Sequence, residues 1–185
     1  MRNGLTALAL FALPLASALG AEISATEIAE MERICGAAGP VPQGQMSNSR
    51  RLNSDDRDYR LSKLIAEPLP GWKPKSEKVE AFSSDTVGCG LSAVRLFDTG
   101  RGDLSFAVSL VASPIAAGMA QSLNAAPGRR IKFDGRSILI DDMGTMTLPL
   151  GRIMVTVWGP APEEDKRALL EILDFRAIER ASAPQ

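Results

Sequence analysis

Length, composition and charge place this chain among ordinary globular proteins and exclude several classes of function. It has 185 residues, of which 45% are hydrophobic and 23% are charged, which argues against a fibrous or wholly disordered protein and predicts one domain. Its 21 basic and 22 acidic residues give a net charge of -1, so no bulk positive charge attracts nucleic acid. Because the chain contains no histidine, it cannot by itself form a Ser-His-Asp or Cys-His catalytic centre or a His-ligated zinc site.

The first twenty residues have the pattern of a secretory signal peptide. A short positively charged start precedes an uncharged, mostly apolar stretch from Leu5 to Leu19. This stretch is shorter than the roughly 20 apolar residues that span a membrane. The small residues Ala18 and Gly20 predict cleavage before Ala21, and Ala16 with Ala18 offers a second site two residues earlier. The sequence therefore predicts an exported, periplasmic chain over residues 21–185 that keeps no stable membrane anchor.

Export makes the two cysteines informative, because oxidising compartments allow disulfides to persist. Cys35 and Cys89 are the only cysteines of the chain, and we expect them to form a structural disulfide. Closing a loop of 54 residues would stabilise the fold by about 4 kcal/mol on the chain-entropy model. The alternative is a redox or metal-binding pair, but the chain has neither Cys-x-x-Cys spacing nor a histidine to complete a metal site.

The mature chain begins with a predicted helix and a loop. Ser24 and Glu27 have the spacing of a capping box, in which two side chains bind the free amide groups at a helix start. Apolar residues at helical intervals then predict a short helix that ends near Gly36. The following stretch, Gly36 to Asn53, is rich in Gly, Pro, Gln, Ser and Asn without periodicity, which predicts a mobile surface loop.

A second helix and a strand hairpin follow. Ser54 can cap a helix that Pro68 terminates. Farther on, residues alternate between apolar and small side chains from Leu104 to Leu110, which predicts a strand with one fully apolar face. The turn from Asp98 to Asp103 joins it to an earlier strand around Val94.

The rest of the chain predicts a helix, a meander of short strands and a last helix. Ser113 and Pro114 supply a cap and a first-turn proline for the first of these helices. Pro162 begins the last one. Four alternating segments lie between them, centred on Ile131 and Phe133, Ile138 and Ile140, Met146 and Leu148, and Ile153 to Val157, with turns at Asp134-Gly135, Met143-Gly144 and Leu150-Gly151. The order predicts an α+β fold in which helices cover an antiparallel sheet as an α/β/α sandwich, with the N-terminal helix attached by the disulfide.

This order of elements resembles that of the small α/β/α sandwiches of the PsbP-like proteins. The resemblance covers roughly Leu64 to Ile178. It is carried by Leu69-Pro70-Gly71-Trp72, by the helix after Ser113-Pro114, and by the segments Gly128 to Arg136, Arg152 to Gly159 and Leu169 to Asp174. Members of that group bind unrelated partners and are mostly not enzymes, so the resemblance implies an accessory role at the level of the fold.

Basic residues near the first meander turn are the main candidate for binding a partner. Arg130 and Lys132 share the polar face of a strand whose other side carries Ile131 and Phe133. If Arg136 joins them across the Asp134-Gly135 turn, the three side chains present one anion-binding surface to phosphate, an acidic glycan or an acidic protein. The alternative is an ordinary solvated strand face.

A carboxylate group near the same turns offers a different chemistry. Asp134, Asp141 and Asp142 could bind a hard cation or act as a general acid and base. Adjacent strand residues point to opposite faces, however, so Asp141 and Asp142 share a site only if the turn redirects one of them.

The sequence therefore predicts an exported, non-catalytic accessory or binding protein. We expect it to contact a cell-envelope protein or an anionic ligand through the basic strand or through the loop from Gly36 to Asn53. A carboxylate-dependent, metal-binding hydrolase and a carrier of a small apolar ligand remain alternatives. No glycine-rich nucleotide loop is present, so we expect no cofactor.

Overall fold

The structure is a computed structural model that describes residues 23–38, 50–51, 60–84, 88–112 and 115–181. The signal peptide expected over residues 1–20 lies outside the described residues. The described part contains both helices and an antiparallel sheet, so the predicted α+β class is confirmed. The elements are α1 Ala25–Ala38, β1 Arg50–Arg51, the 3-10 helix η1 Arg60–Leu64, β2 Lys73–Ser84, β3 Gly88–Asp98, β4 Asp103–Val111, α2 Ile115–Ala125, β5 Arg129–Phe133, β6 Arg136–Ile140, β7 Met146–Leu150, β8 Ile153–Trp158, α3 Glu163–Glu171 and α4 Phe175–Ala181.

All the described strands belong to one antiparallel sheet in the order β1-β2-β3-β4-β8-β7-β6-β5. Strands β1 to β4 lie beside their neighbours in sequence, and so do β5 to β8. The pairing of β4 with β8 joins these two groups. The outer strands of the described sheet are β1, which has two residues, and β5, which has five.

One face of the sheet, which we call the core face, carries most of the buried apolar side chains. Along β4, Leu104, Phe106, Val108 and Leu110 are all buried, because alternate residues of a strand point to the same side. Full burial of a side chain such as Phe106 stabilises a fold by about 2–3 kcal/mol relative to exposure. Helical segments add further residues to the same cluster, namely Met31, Leu61, Leu169, Leu170, Phe175 and Ile178.

Along β4 the opposite face, which we call the second face, carries smaller residues, as the alternation of that strand predicted. Ser92 and Ser109 are buried on it, and their hydroxyl oxygens share a hydrogen bond of 2.9 Å. Toward one end, Val111 and Met154 form a separate buried cluster with Leu123 of α2. Through Leu123, α2 therefore contacts the second face.

Short glycine turns set the register of the last four strands. Asp134 and Gly135 have φ angles of 47° and 75°, as a type I′ turn requires, and Asp-Gly is a preferred pair for that turn. Gly151, with a φ angle of 63°, is the first residue of the turn between β7 and β8. The residues that flank such two-residue turns form hydrogen-bonded pairs. Phe133 and Arg136 therefore direct their backbone groups toward each other.

Two connections attach α1 to the rest of the protein. Ser24 and Glu27 form the predicted capping box: the Ser24 N–H donates to Glu27 Oε2 over 2.9 Å, and the Glu27 N–H donates to Ser24 Oγ over 3.2 Å. The other carboxylate oxygen of Glu27 accepts the N–H of Leu61 in η1 over 3.1 Å. The predicted disulfide between Cys35 and Cys89 is also confirmed, with Cα atoms 5.6 Å apart.

A buried carboxylate attaches α3 to the turn between β3 and β4. Asp165 accepts hydrogen bonds from the Thr99 hydroxyl over 2.9 Å and from the Arg101 guanidinium, whose Nε lies at 3.2 Å. Burial acts to raise the pKa of Asp165, but the hydrogen bonds from Arg101 and Thr99 outweigh it and hold that pKa below its ordinary value. The ionised side chain thus holds the turn against the helix.

Two helices differ from their predictions. The helix expected after Ser54 has 3-10 rather than α-helical geometry where it is described, over the five residues of η1; its predicted start lies in residues 52–59, outside the described residues. The single last helix that was expected is divided into α3 and α4, because Asp174 Oδ1 accepts the Ala177 N–H over 2.9 Å and caps a new helix start. None of the helices in the described parts of the chain is long and apolar enough to cross a membrane.

The segment expected as a loop from Gly36 to Asn53 is described only near its ends. The first helix continues to Ala38, two residues beyond its predicted end. Arg50–Arg51 form β1, which pairs with β2. Residues 39–49 and 52–53 lie outside the described residues, so the functional role of this loop stays a prediction.

Candidate functional site

The predicted basic residues lie on the hairpin of β5 and β6, where the register divides them between the two faces. Ile131 and Phe133 pack against the core, so Arg130 and Lys132, which alternate with them, lie on the second face. Arg136 is paired directly with Phe133 and therefore lies on the core face. The three side chains therefore do not share one strand face, contrary to the expectation for Arg130, Lys132 and Arg136. Their part in binding a partner stays a prediction.

Arg130 holds the end of α2. Its Nη2 donates to the backbone carbonyl oxygens of Leu123, Asn124 and Ala126 over 2.9, 2.7 and 2.7 Å. The last carbonyls of a helix have no partner within the helix, and a cation at this end also compensates the helix dipole. These contacts fix the position of the guanidinium but leave its charge without a carboxylate partner among the described residues.

Arg136 joins the hairpin to α4. Its Nε and Nη2 donate to the two carboxylate oxygens of Glu179 over 2.9 and 3.0 Å, and it also binds Asp134. Its guanidinium lies 5.1 Å from the centre of the Phe175 ring, a cation–π distance. The hydrogen bonds with Glu179 contribute most to raising the pKa of Arg136. Its charge is therefore already compensated within the protein.

The remaining cations of β5 differ in their pairing. Arg129 forms an ion pair of 2.6 Å with Glu163. Lys132 is exposed, and among the described residues nothing forms a hydrogen bond or an ion pair with it. On the second face, β5 therefore presents two positive charges, on Arg130 and Lys132, that no described carboxylate neutralises.

The outer edge of β5 also presents backbone hydrogen-bonding groups. Because Phe133 directs its backbone groups toward β6, so does Ile131, and the intervening residues Arg130 and Lys132 direct theirs to the other side. No strand of the described sheet lies on that side. Unpaired donors and acceptors in a row can accept a further strand.

On its other side, β6 has a short ladder with β7 and a cavity beside it. The two strands pair at Leu139 with Thr147 and at Ile140 with Met146. The next residue of β7 that faces β6 is Pro149, which has no N–H to donate and so interrupts the ladder. The cavity has a volume of about 280 Å³. Its lining residues are Leu123, Asn124, Arg130, Arg136, Ser137, Leu139, Thr147, Leu148, Pro149, Leu150, Gly151 and Glu179.

In the part of the chain that the structure describes, two residues of β8 and its preceding turn carry buried polar atoms without a hydrogen-bond partner. These atoms are Nε and Nη2 of Arg152 and Oγ1 of Thr156. Arg152 follows Gly151, and Thr156 pairs with Thr147, so both lie next to residues that line the cavity. Buried polar groups without partners are rare and unfavourable. Nothing in the sequence indicated that side-chain nitrogens of Arg152 are buried, because an arginine in a turn is ordinarily exposed.

The three candidate carboxylates do not meet. Asp134 lies in the turn before β6, whereas Asp141 and Asp142 follow its other end, roughly 20 Å away at strand spacing. Asp141 Oδ1 accepts the N–H groups of Met143 and Thr145 over 2.9 and 2.8 Å and so stabilises its own turn. The described residues contain no group of three His, Cys, Asp or Glu side chains that could hold a metal ion. The hydrolase alternative therefore lacks a common site among them.

No protein-family model, curated protein or solved structure matches this chain. The resemblance to the PsbP-like proteins stays a prediction based on the order of elements.

Proposed function

We propose that this protein is an exported, non-catalytic accessory protein that docks an acidic, extended segment of a cell-envelope protein along β5. The observation that carries the proposal is the outer edge of β5. Its outward backbone groups belong to Arg130 and Lys132, the same residues whose positive charges have no described carboxylate partner. Backbone hydrogen bonds to an added strand supply affinity, and alternate side chains supply selectivity.

An acidic partner strand fits this edge by charge. Every second side chain of an added strand lies on the second face, beside Arg130 and Lys132. Opposite charges at such cross-strand positions contribute about 0.2–1 kcal/mol each. Because the whole chain has a net charge of -1, the attraction is local to this edge rather than a property of the entire protein. Positively charged partner segments are disfavoured there, because Arg130 and Lys132 repel them.

The proposal also covers the location of the protein and the way in which its helices cover the sheet. Residues 1–20 act as a signal peptide that is cleaved near Gly20, and the mature chain resides in the periplasm. The disulfide between Cys35 and Cys89 supports this location, because such bonds persist in oxidising compartments. The helices complete an α/β/α sandwich, which the buried residues of α1, α3 and α4 on one face and Leu123 of α2 on the other support. This architecture resembles that of the PsbP-like proteins, whose accessory roles support the proposal by analogy.

Two substitutions at Lys132 separate charge from strand pairing. Lys132→Glu reverses the charge and keeps the outward N–H. Lys132→Pro removes that N–H, and an edge strand tolerates it because the group does not bond to β6. The matched control is Lys73→Glu, at an exposed lysine of β2, which changes the net charge equally at a different part of the sheet.

The assay is fluorescence anisotropy of a labelled peptide that alternates Glu with Val, titrated with the mature, disulfide-bonded chain. We expect the wild type and Lys73→Glu to bind it, and both Lys132 variants to bind at least about tenfold more weakly, which corresponds to about 1.4 kcal/mol. Binding should weaken as salt is added. Absence of binding to the wild type, an equal loss in Lys73→Glu, or equal binding of a peptide that alternates Lys with Val would each overturn the proposal.

A further inference from the structure

We infer that the cavity between β6 and β7, which we call the β6–β7 cleft, binds a small organic anion that carries a carboxylate on a short apolar body. The cleft lies on the side of β6 away from the outer edge of β5, so this inference shares only Arg130 with the proposed strand docking. It rests on the shape of the cleft, on the nature of its walls and on the charges around it.

The walls of the cleft suit the apolar body of such a ligand. Its volume of about 280 Å³ lies just below the range typical of small-molecule sites, which restricts the occupant to a small compound. Five of the lining residues are apolar, namely Leu123, Leu139, Leu148, Pro149 and Leu150. Ser137 and Thr147 add two hydroxyl groups.

The charges of the cleft select an acid rather than an amine. Three lining residues are ionised, and two of them, Arg136 and Glu179, neutralise each other through their paired hydrogen bonds. The remaining charge is that of Arg130. The carbonyl groups at the end of α2 hold its Nη2 in place, whereas no described residue accepts a hydrogen bond from its Nε. A carboxylate beside Arg130 would gain a charge-assisted hydrogen bond from a donor that is already positioned.

Donors next to the cleft point to the same ligand class. Arg152 adds a further positive charge beside Gly151, and its Nε and Nη2 have no acceptor among the described residues. Because Arg136 and Glu179 neutralise each other, the charges of Arg130 and Arg152 favour an anion in the cleft.

The test compares three probes that share one apolar body and differ in their head group: hexanoate, hexanol and hexylamine. Each is titrated into the mature, disulfide-bonded chain, and binding is followed by chemical-shift changes in the NMR spectrum and by the shift in Tm. We expect saturable binding of hexanoate with a rise in Tm, because a ligand that binds the folded state stabilises it. Hexanol and hexylamine should bind at least about tenfold more weakly.

Three variants locate the binding. Ser137→Phe fills the cleft with a residue suited to a strand and should abolish hexanoate binding. Arg130→Met removes the charge and should weaken binding at least about tenfold. Lys132→Met, outside the lining, should retain hexanoate binding within about twofold, although the proposed strand docking requires that lysine. The two proposals can therefore fail separately.

Several outcomes would overturn the inference. These are equal binding of hexanol and hexanoate, retention of hexanoate binding in a folded Ser137→Phe variant, or an equal loss in Lys132→Met and Arg130→Met. Because Arg130 also holds the end of α2, far-ultraviolet circular dichroism must show that Arg130→Met is folded. If it is not, Ser137→Phe together with the three probes decides the question.

Discussion

Replacing Glu27 with alanine tests whether one buried carboxylate holds α1 and η1 together. The substitution removes the reciprocal cap with Ser24, which is worth about 1 kcal/mol. It also leaves the N–H of Leu61, a residue that is 1% exposed, without its acceptor, at a cost of about 1–3 kcal/mol. We therefore expect Glu27→Ala to lower the free energy of unfolding by about 3 kcal/mol.

The assay is urea unfolding of the mature chain, followed by the fluorescence of Trp72 and Trp158. Glu32→Ala is the control, because Glu32 is an exposed carboxylate on the same helix and its loss should change stability by less than about 0.5 kcal/mol. Glu27→Gln keeps one acceptor oxygen and should give an intermediate loss. A loss below about 1 kcal/mol in Glu27→Ala, or one equal to that of Glu32→Ala, would refute the reasoning.

Two further predictions concern the disulfide and the carboxylate of α3. The double substitution of Cys35 and Cys89 by alanine should lower the free energy of unfolding by about 4 kcal/mol, measured by urea unfolding. An unchanged free energy of unfolding would show that the disulfide does not stabilise the fold by constraining the unfolded chain. Asp165→Asn should cost about 2 kcal/mol at neutral pH. The folded pKa of Asp165 is lowered. Its contribution to the free energy of unfolding is therefore complete above the unfolded pKa near 4 and is lost as the pH falls through the folded value. The stability of Asp165→Asn should consequently decline less steeply than that of the wild type below about pH 5. Parallel acid declines in both proteins would contradict this.

Local patterns in the sequence account for the parts of the fold that were predicted correctly. The capping box of Ser24 and Glu27, the turn at Asp134 and Gly135 and the alternation along β4 each depend on residues that are close in sequence. The disulfide was predictable because the chain has only two cysteines. These features require no knowledge of how distant segments pack.

The candidate site was harder to predict because it depends on register and packing. Whether Arg136 joins Arg130 on one face is decided by which residues flank the two-residue turn, and the pairing of Phe133 with Arg136 places it on the other face. The break between α3 and α4 contains neither Gly nor Pro, so only the cap at Asp174 marked it. The burial of two side-chain nitrogens of Arg152 arises from tertiary packing, which the turn sequence does not encode.

The sheet consists of two groups of strands that are each local in sequence, and the seam between β4 and β8 joins them. Hairpins within each group close short loops, whereas the seam must bring Leu110 to Ile153. Non-local pairing of this kind slows folding, because the loop-closure entropy is lost before the contacts form. Until the seam closes, Phe106 and Val157, both fully buried in the folded protein, stay exposed on separate strand edges. The interval before closure is therefore when a newly synthesised chain is most prone to aggregate.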